Sequence, residues 1–281
     1  MEKWSLFPVP ILSYSDSRWY YGLGVMEGNF LGTKNQVGGI LLYKDDYFSF
    51  NGIVNIHKLF IEDLGLFTTF FSAKKKKYFY DDDFEITSSY KETGVGYMAN
   101  LRYELKPFKI WLRHTLVKRE YGEPTPPGPV PGNGWESLLD LSLILKSWTN
   151  LEDYENGHWF RFTLARDISW LGADFGRTFF NWSFSFAIDV FRNHNLLIDH
   201  SGIISHGIPD QLVFEIGNST TGWNPAILGY RAGQFAARHF MFNRLEYRIP
   251  LFSFSLFNVS AVGFTEHMTF TNNERVSELK H

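Results

Sequence analysis

Histidine, serine and carboxylate side chains gather in the last third of the chain, where they could support hydrolysis or bind a metal ion. His200, His206 and His267 lie near carboxylates and serines, namely Asp199, Ser201, Ser205, Asp210 and Glu266. Neither Gly-x-Ser-x-Gly nor His-Glu-x-x-His occurs, although these motifs mark common serine hydrolases and zinc peptidases. His194, His200 and His206 also lack the spacing of metal ligands on one strand. We therefore expect a protein that is not an enzyme, with no catalytic residues, no metal and no cofactor.

A second group of charges alternates with large apolar residues. Arg244, Glu246 and Arg248 are interleaved with Leu245, Tyr247 and Ile249. Because successive side chains of a strand point to opposite sides, the charges share one face and the apolar groups share the other. Two such faces need two environments. The pattern favours a polar lumen on one side and lipid on the other.

Strands of the same kind fill most of the chain. Residues 179–190 alternate without a break, with Phe180, Trp182, Phe184, Phe186, Ile188 and Val190 on one face. Such a run is as long as a tilted membrane-crossing strand. About 13 strands are predicted in total, including residues 66–73, 93–105, 211–216 and 252–263, and residues 122–134 are predicted to form the longest clear loop.

The composition agrees with a membrane-spanning strand protein. Aromatic residues make up 18% of the chain and charged residues only 20%, and there is no cysteine. No run of about 18 apolar residues is present, which excludes a transmembrane helix. The net charge of -3 suggests no nucleic-acid partner. A soluble all-β carbohydrate- or ligand-binding module stays open as an alternative, since its strands also alternate.

Residues 224–250 carry a resemblance to a known family. Residues 243–250 read Asn-Arg-Leu-Glu-Tyr-Arg-Ile-Pro, residues 228–230 read Leu-Gly-Tyr, and residues 233–235 read Gly-Gln-Phe. These stretches resemble the sixth extracellular loop and the following strand in the BamA-type, or bacterial surface antigen, superfamily of outer-membrane barrels. Residues 7–10, Phe-Pro-Val-Pro, are similar to the start of the family's first strand.

The resemblance implies an all-β fold, a transmembrane antiparallel β-barrel, for which the family expectation is sixteen strands. It implies a loop that folds back into the lumen, with a motif formed by Gly229, Tyr230, Arg231, Gly233 and Phe235. It also implies lumen-wall partners for that loop, namely Arg244, Glu246, Arg248 and Glu266. The family's motif arginine is replaced here by Leu228. We hypothesise that Arg231 pairs instead with Glu246 or Glu266.

Residues 1–281 are therefore predicted to form a single outer-membrane β-barrel domain that lacks periplasmic repeat domains and the family's last strands. The implied location is the bacterial outer membrane, and the implied role is outer-membrane protein assembly or protein translocation. An outer-membrane hydrolase or a passive pore is a weaker alternative. The expected partners are outer-membrane lipid and lipopolysaccharide, together with unfolded outer-membrane or secreted polypeptides. Four consecutive lysines, residues 74–77, could contact lipopolysaccharide phosphates or form a solvated strand end.

Overall fold

The computed structural model describes residues 6–15, 18–30, 32–44, 47–80, 86–126, 132–151, 154–191, 194–208, 213–216, 227, 235–253 and 258–271. Thirteen antiparallel strands form one sheet. The wall strands are β1 Leu6–Ser15, β2 Arg18–Phe30, β3 Asn35–Lys44, β4 Tyr47–Ile56, β5 Leu64–Tyr80, β6 Ile86–Leu105, β7 Phe108–Tyr121, β8 Gly134–Leu151, β9 Tyr154–Asp167, β10 Thr178–Phe191, β11 His194–His206, β14 His239–Ser253 and β15 Asn258–Thr271.

Two further strands lie outside this wall. β12 Phe214–Ile216 and β13 Phe235–Ala237 pair with each other in a separate two-stranded sheet. The strand predicted over residues 211–216 is present in part as β12 Phe214–Ile216, but it pairs with β13 and does not join the wall. The prediction of a strand over 252–263 is also misplaced, since β14 continues to Ser253 and β15 runs from Asn258 to Thr271.

The connections alternate between two ends of the wall because neighbouring strands are antiparallel. One end, the loop end, carries the connections 81–85, 122–133, 168–177 and 207–238. The opposite end, the turn end, carries 31–34, 57–63, 106–107, 152–153, 192–193 and 254–257. Residues 207–238, which join β11 to β14 and contain β12 and β13, are called the returning segment below. This segment, rather than residues 122–133, is the longest connection.

The two faces of the wall differ in chemistry, as β10 shows. Phe180, Ile188 and Val190 are 40%, 46% and 52% exposed, whereas Asn181 on the other face is 3% exposed. The buried face of the wall, the inner face, carries polar groups on many strands, among them Thr69, Asn100, Asp140, Ser142 and Thr163. The outer face carries exposed Leu, Phe, Val and Ile on nearly every strand. This arrangement is the reverse of a soluble sandwich, in which the apolar face is buried.

Local sequence accounts for several features of the wall. Pro8 and Pro10 are accommodated in β1 because, among the residues that the structure describes, β1 pairs only with β2, and proline is tolerated on an edge strand. Gly202 lies opposite Trp182, and a Cβ at this position would come within 2.3 Å of the indole ring. Glycine is therefore required there for the indole to lie across β11. Among the described residues, no helix is long and apolar enough to cross a membrane.

Candidate functional site: the inner face and the returning segment

The returning segment folds back onto the inner face. It begins at Gly207, where φ is +67° and a Cβ would meet the Gly176 carbonyl oxygen at 2.9 Å. A residue without a side chain fits this left-handed turn at the lowest cost. Further along the segment, Ile208, Ile216, Ile227 and Ala237 are all buried. These four side chains of the segment are therefore shielded from solvent.

An apolar cluster holds the segment in place. Its wall members are Leu138, Ala165, Phe179, Ile203, Phe240 and Phe242, and its segment members are Ile216, Ile227 and Ala237. Phe214 of β12 contacts Phe179 at 5.3 Å and Phe240 at 6.3 Å between ring centroids. Phe235, the one residue of the predicted loop motif that the structure describes, contacts Phe270 at 5.5 Å. The anchoring contacts seen here are thus hydrophobic and aromatic.

The predicted lumen-wall partners lie together on β14 and β15. Arg244, Glu246 and Arg248 alternate with exposed Leu245 on β14, and Glu266 of β15 is the register partner of Arg244. Arg244 Nε donates to Glu266 Oε1 at 2.7 Å. Arg248 pairs with Glu246. The two carboxylates are therefore both engaged by arginines of the wall itself.

The four other predicted motif residues, Gly229, Tyr230, Arg231 and Gly233, lie outside the described residues. The hypothesis that Arg231 pairs with Glu246 or Glu266 stays a prediction for the same reason. The wall does constrain it. Glu266 already receives Arg244, and Glu246 already receives Arg248, so any third cation would share a carboxylate that is already ion-paired.

An ionic network near the loop end of the inner face joins strands β6 to β9 and Arg177, the residue before β10. Arg119 pairs with both Glu92 and Glu136. Arg177 Nη2 lies 2.7 Å from Glu136 Oε2, and Arg177 Nε lies 3.0 Å from Asp167 Oδ2. The three carboxylate side chains are all nearly inaccessible. Buried charges are tolerated only when paired in this way.

Sequence reasoning missed this network. Its directly bonded members are separated by as many as 41 residues in the chain, as for Arg177 and Glu136. Only the strand register brings them together: Glu136 faces Val117 on β7, and Leu138 faces Asp167 on β9. One signal was available, namely that Glu92, Arg119 and Glu136 fall at inward positions of strands whose outward positions are apolar. That signal identifies the face of each residue but not its partner.

The rest of the inner face is polar and largely paired. Arg113 Nε donates to Asp140 Oδ2 at 2.6 Å, and Ser142 Oγ lies 2.8 Å from Thr163 Oγ1. Arg102 bonds to Asn55 and also lies over the Phe67 ring. These pairs run across β4 to β9. They form the wall of a polar lumen, as the alternation in the sequence predicts.

The histidines that could have supported catalysis lie elsewhere. Trp182 Nε1 donates to His200 Nε2 at 2.9 Å, so His200 Nδ1 carries the proton and donates to Asn243 Oδ1 at 2.7 Å. Both ring nitrogens of His200 are thus engaged, on the outer face. Another outer-face histidine, His114, contacts Tyr97 and Ser137. Within the ranges given above, no group of His, Cys, Asp or Glu could hold a metal ion.

A shallow cavity opens at the turn end and contains mixed charges. Its lining includes Lys58, Glu62, Arg102 and Glu104. Lys58 pairs with Glu62 and lowers the pKa of the Glu62 carboxyl by a hydrogen bond and by its charge. Glu104 pairs with Lys109. The cavity therefore carries paired charges of both signs and shows no field that would select one kind of ligand.

A wall with polar side chains inside and exposed apolar side chains outside defines the class of transmembrane β-barrel folds. No family model matches the sequence, and no curated protein matches it. Among solved structures, the chain is similar to BamA from Haemophilus ducreyi lacking POTRA domains 1–3, with a TM-score of 0.71 and 15% sequence identity. The similarity covers 96% of this chain and 58% of that chain. The chain therefore has the fold of a BamA-type barrel, over a little more than half the length of that protein.

Proposed function

We propose that this protein is a bacterial outer-membrane barrel that assists the insertion or translocation of other polypeptides. The observation that carries the proposal is the combination of a BamA-type wall with a segment folded onto its inner face. A soluble ligand-binding module would present the opposite arrangement, because its exposed face would be polar. The outer face described above would instead aggregate in water and suits contact with lipid.

The returning segment supports a role other than that of an open pore. Three buried apolar residues of the segment and six of the wall form one apolar cluster on the inner face. A passive pore needs a continuous polar path, and an apolar obstruction narrows it. A polypeptide-handling barrel needs a lumen that stays closed to ions while its wall engages a substrate.

The edges of the wall offer a means of engaging a polypeptide. Within the described ranges, β1 pairs only with β2 and β15 pairs only with β14. An unpaired strand edge presents backbone N–H and C=O groups that an extended chain can bond by adding a strand. Such bonding is independent of sequence, which suits a protein that handles many unfolded substrates.

The proposed role needs no catalytic residue. His200 has both ring nitrogens engaged by Trp182 and Asn243, which leaves neither to act as a general base. We therefore propose a non-enzymatic function. Purified, folded protein is expected to release no fatty acid from phospholipid vesicles, and release above the rate of protein-free vesicles would favour the hydrolase alternative.

A reconstitution experiment tests the main proposal. The protein is inserted into phospholipid vesicles, an unfolded outer-membrane barrel is added, and the folded fraction of that substrate is followed by its fast migration on an unheated denaturing gel. We expect faster folding than in empty vesicles or in vesicles holding an unrelated barrel of similar size. Equal rates in all three would contradict the proposal, and equal rates with steady ion conductance would favour a passive pore.

A further inference from the structure

The outer face changes from apolar to basic towards the loop end of β5 and β6. On β5, Phe70 is 51% exposed and shares a face with Ser72, Lys74 and Lys76, in that order along the strand. On β6, Val95 is 50% exposed and shares the same face with Thr93 and Lys91. In both strands a small polar residue separates the apolar residue from the first lysine. This order matches the passage from hydrocarbon to headgroups at a membrane surface.

Two of the four consecutive lysines lie on the outer face of β5, and Lys91 of β6 lies beside them. Alternation along β5 assigns Lys74 and Lys76 to the outer face. Lys76 is the direct register partner of Lys91 on β6, and Lys74 is the partner of Thr93. Like charges directly opposite each other on neighbouring strands are destabilising. The register nevertheless brings Lys74, Lys76 and Lys91 together on one part of the outer face.

The aromatic ring of Tyr47 lies beside Lys74 and Lys91 and forms one side of this lysine site. Tyr47, the first residue of β4, lies where this shorter strand begins beside the longer β5. The Lys74 Nζ atom is 5.8 Å from the centre of the Tyr47 ring, and the Lys91 Nζ atom is 5.3 Å from it. The ring thus holds two ammonium groups on one small area of surface. On β7, the nearby carboxylate of Glu120 is paired with Lys118 at 2.6 Å.

We propose that Lys74, Lys76, Lys91 and Tyr47 form a binding site for the phosphate groups of a glycolipid of the lipid A type. The inference rests on the proposed outer-membrane location, because only there does a phosphorylated glycolipid surround the loop end. Three lysines beyond an apolar band match a ligand that carries phosphates at the headgroup and acyl chains below it. The acyl chains would lie against Phe70 and Val95, while the phosphates would lie between the lysines.

The test uses the whole folded protein in detergent micelles. Binding of purified lipid A carrying two phosphates is measured by native mass spectrometry for the wild type and for the triple variant Lys74→Gln, Lys76→Gln, Lys91→Gln. Each lysine near an anionic lipid surface is worth roughly a fivefold change in affinity, so the triple variant should bind at least about tenfold more weakly. A matched variant at the turn end, Lys58→Gln, Lys106→Gln, Lys109→Gln, should change binding by less than about twofold.

Three outcomes would overturn the lysine site. They are unchanged affinity in the triple variant, equal affinity for lipid A from which both phosphates have been removed, and equal binding of phosphatidylglycerol. The same preparations are run unheated on a denaturing gel. If the wild type migrates fast but the triple variant binds normally, only the lysine site is rejected. If the wild type shows no fast-migrating form, the outer-membrane location and the site that rests on it are both rejected.

Discussion

The inner face of the wall is stabilised by different chemistry in two adjoining regions. Near the loop end, Glu136 belongs to the ionic network with Arg119 and Arg177. Two residues further along the same face, Leu138 belongs to the apolar cluster under the returning segment. The difference follows from what covers each region. Where the returning segment lies on the wall, the inward residues are apolar, and where it does not, inward charges are paired across strands.

The comparison shows that the lumen is polar only in part. An apolar patch inside a polar lumen would be costly if water covered it, since burying apolar surface stabilises by about 25 cal/mol per Å². The patch is therefore evidence that the segment belongs on the wall. In the resembling family, an arginine of the loop is expected to make the connection. In this chain, the described connection consists of aromatic and aliphatic side chains, together with hydrogen bonds from Arg238 N to Thr271 O and from Ser205 Oγ to Arg238 O at the end of the segment.

Truncating the apolar cluster should have the largest effect on stability. Phe240 is 1% exposed and contacts Phe214 of the returning segment. Phe240→Ala is expected to lower the free energy of unfolding by about 3 to 5 kcal/mol, as for other buried phenylalanines. The measurement is urea-induced unfolding in lipid vesicles. Phe180→Ala, on the exposed outer face, should lower the free energy of unfolding by less than half as much. Equal losses of stability in the two variants would mean that the cluster does not anchor the segment.

Removing the central carboxylate of the ionic network should have a comparable but smaller effect. Glu136→Gln leaves Arg119 and Arg177 each without one ionic partner in a region with little access to water. We expect a loss of about 3 kcal/mol, because breaking one member of a buried pair leaves an uncompensated charge. A triple variant, Glu136→Leu, Arg177→Met and Asp167→Asn, removes the partners of Arg177 together with Arg177 itself and keeps the Arg119–Glu92 pair, so it should be closer to the wild type than Glu136→Gln. If Glu136→Gln itself unfolds like the wild type, the network is not stabilising.

The Arg244–Glu266 pair joins the last two wall strands and offers a reversal experiment. Arg244→Glu or Glu266→Arg alone should each cost about 2 kcal/mol, because each variant places like charges opposite one another in register. The double reversal, Arg244→Glu with Glu266→Arg, should recover more than half of that loss. Unfolding of all three variants in the same vesicles gives the coupling energy. Simple additivity of the two single losses would show that the residues do not pair.

The hydrogen-bonded residues of the outer face should contribute least to the free energy of unfolding. Replacing Trp182, His200 and Asn243 together, by Phe, Phe and Leu, removes every partner in this lipid-facing chain of hydrogen bonds. Exchanging all hydrogen-bonded partners for apolar groups is close to neutral, so we expect a change within about 1 kcal/mol. The polypeptide-insertion rate should also be unaffected. A large loss of insertion activity with normal stability would indicate that His200 has a functional role.

The sequence allowed the wall to be predicted more fully than the site. The alternation over residues 179–190 predicts a strand with Phe180, Phe186 and Ile188 on one face, and β10 covers Thr178–Phe191 with these side chains on the outer face. Period-two alternation is local, so it can be read without knowing the partner strand. The charges of β14 were assigned to one face for the same reason. The pairs Arg244–Glu266 and Arg248–Glu246 are not among the sequence predictions, which pair these carboxylates with Arg231 instead.

Long-range register accounts for what was missed. Lys91 joins Lys76 only because β5 and β6 pair in one particular register, and Arg177 reaches Glu136 only because β8, β9 and β10 are aligned as they are. The sequence cannot distinguish the short β12–β13 sheet from the wall, because three alternating residues have the same pattern in either place. The two strands pair separately because β11 bonds directly to β14, which leaves no position between them for another strand.

The central claim is that the polar face of the wall lines the lumen and the apolar face contacts lipid. The natural chain has no cysteine, so one introduced cysteine gives a unique labelling position. A fluorophore is attached at each residue from 183 to 188 in turn, and quenching by nitroxide-labelled lipid is measured in vesicles. We predict strong quenching for Phe184→Cys, Phe186→Cys and Ile188→Cys and weak quenching for Ser183→Cys, Ser185→Cys and Ala187→Cys. Quenching without this alternation, or with the two sets exchanged, would contradict the account.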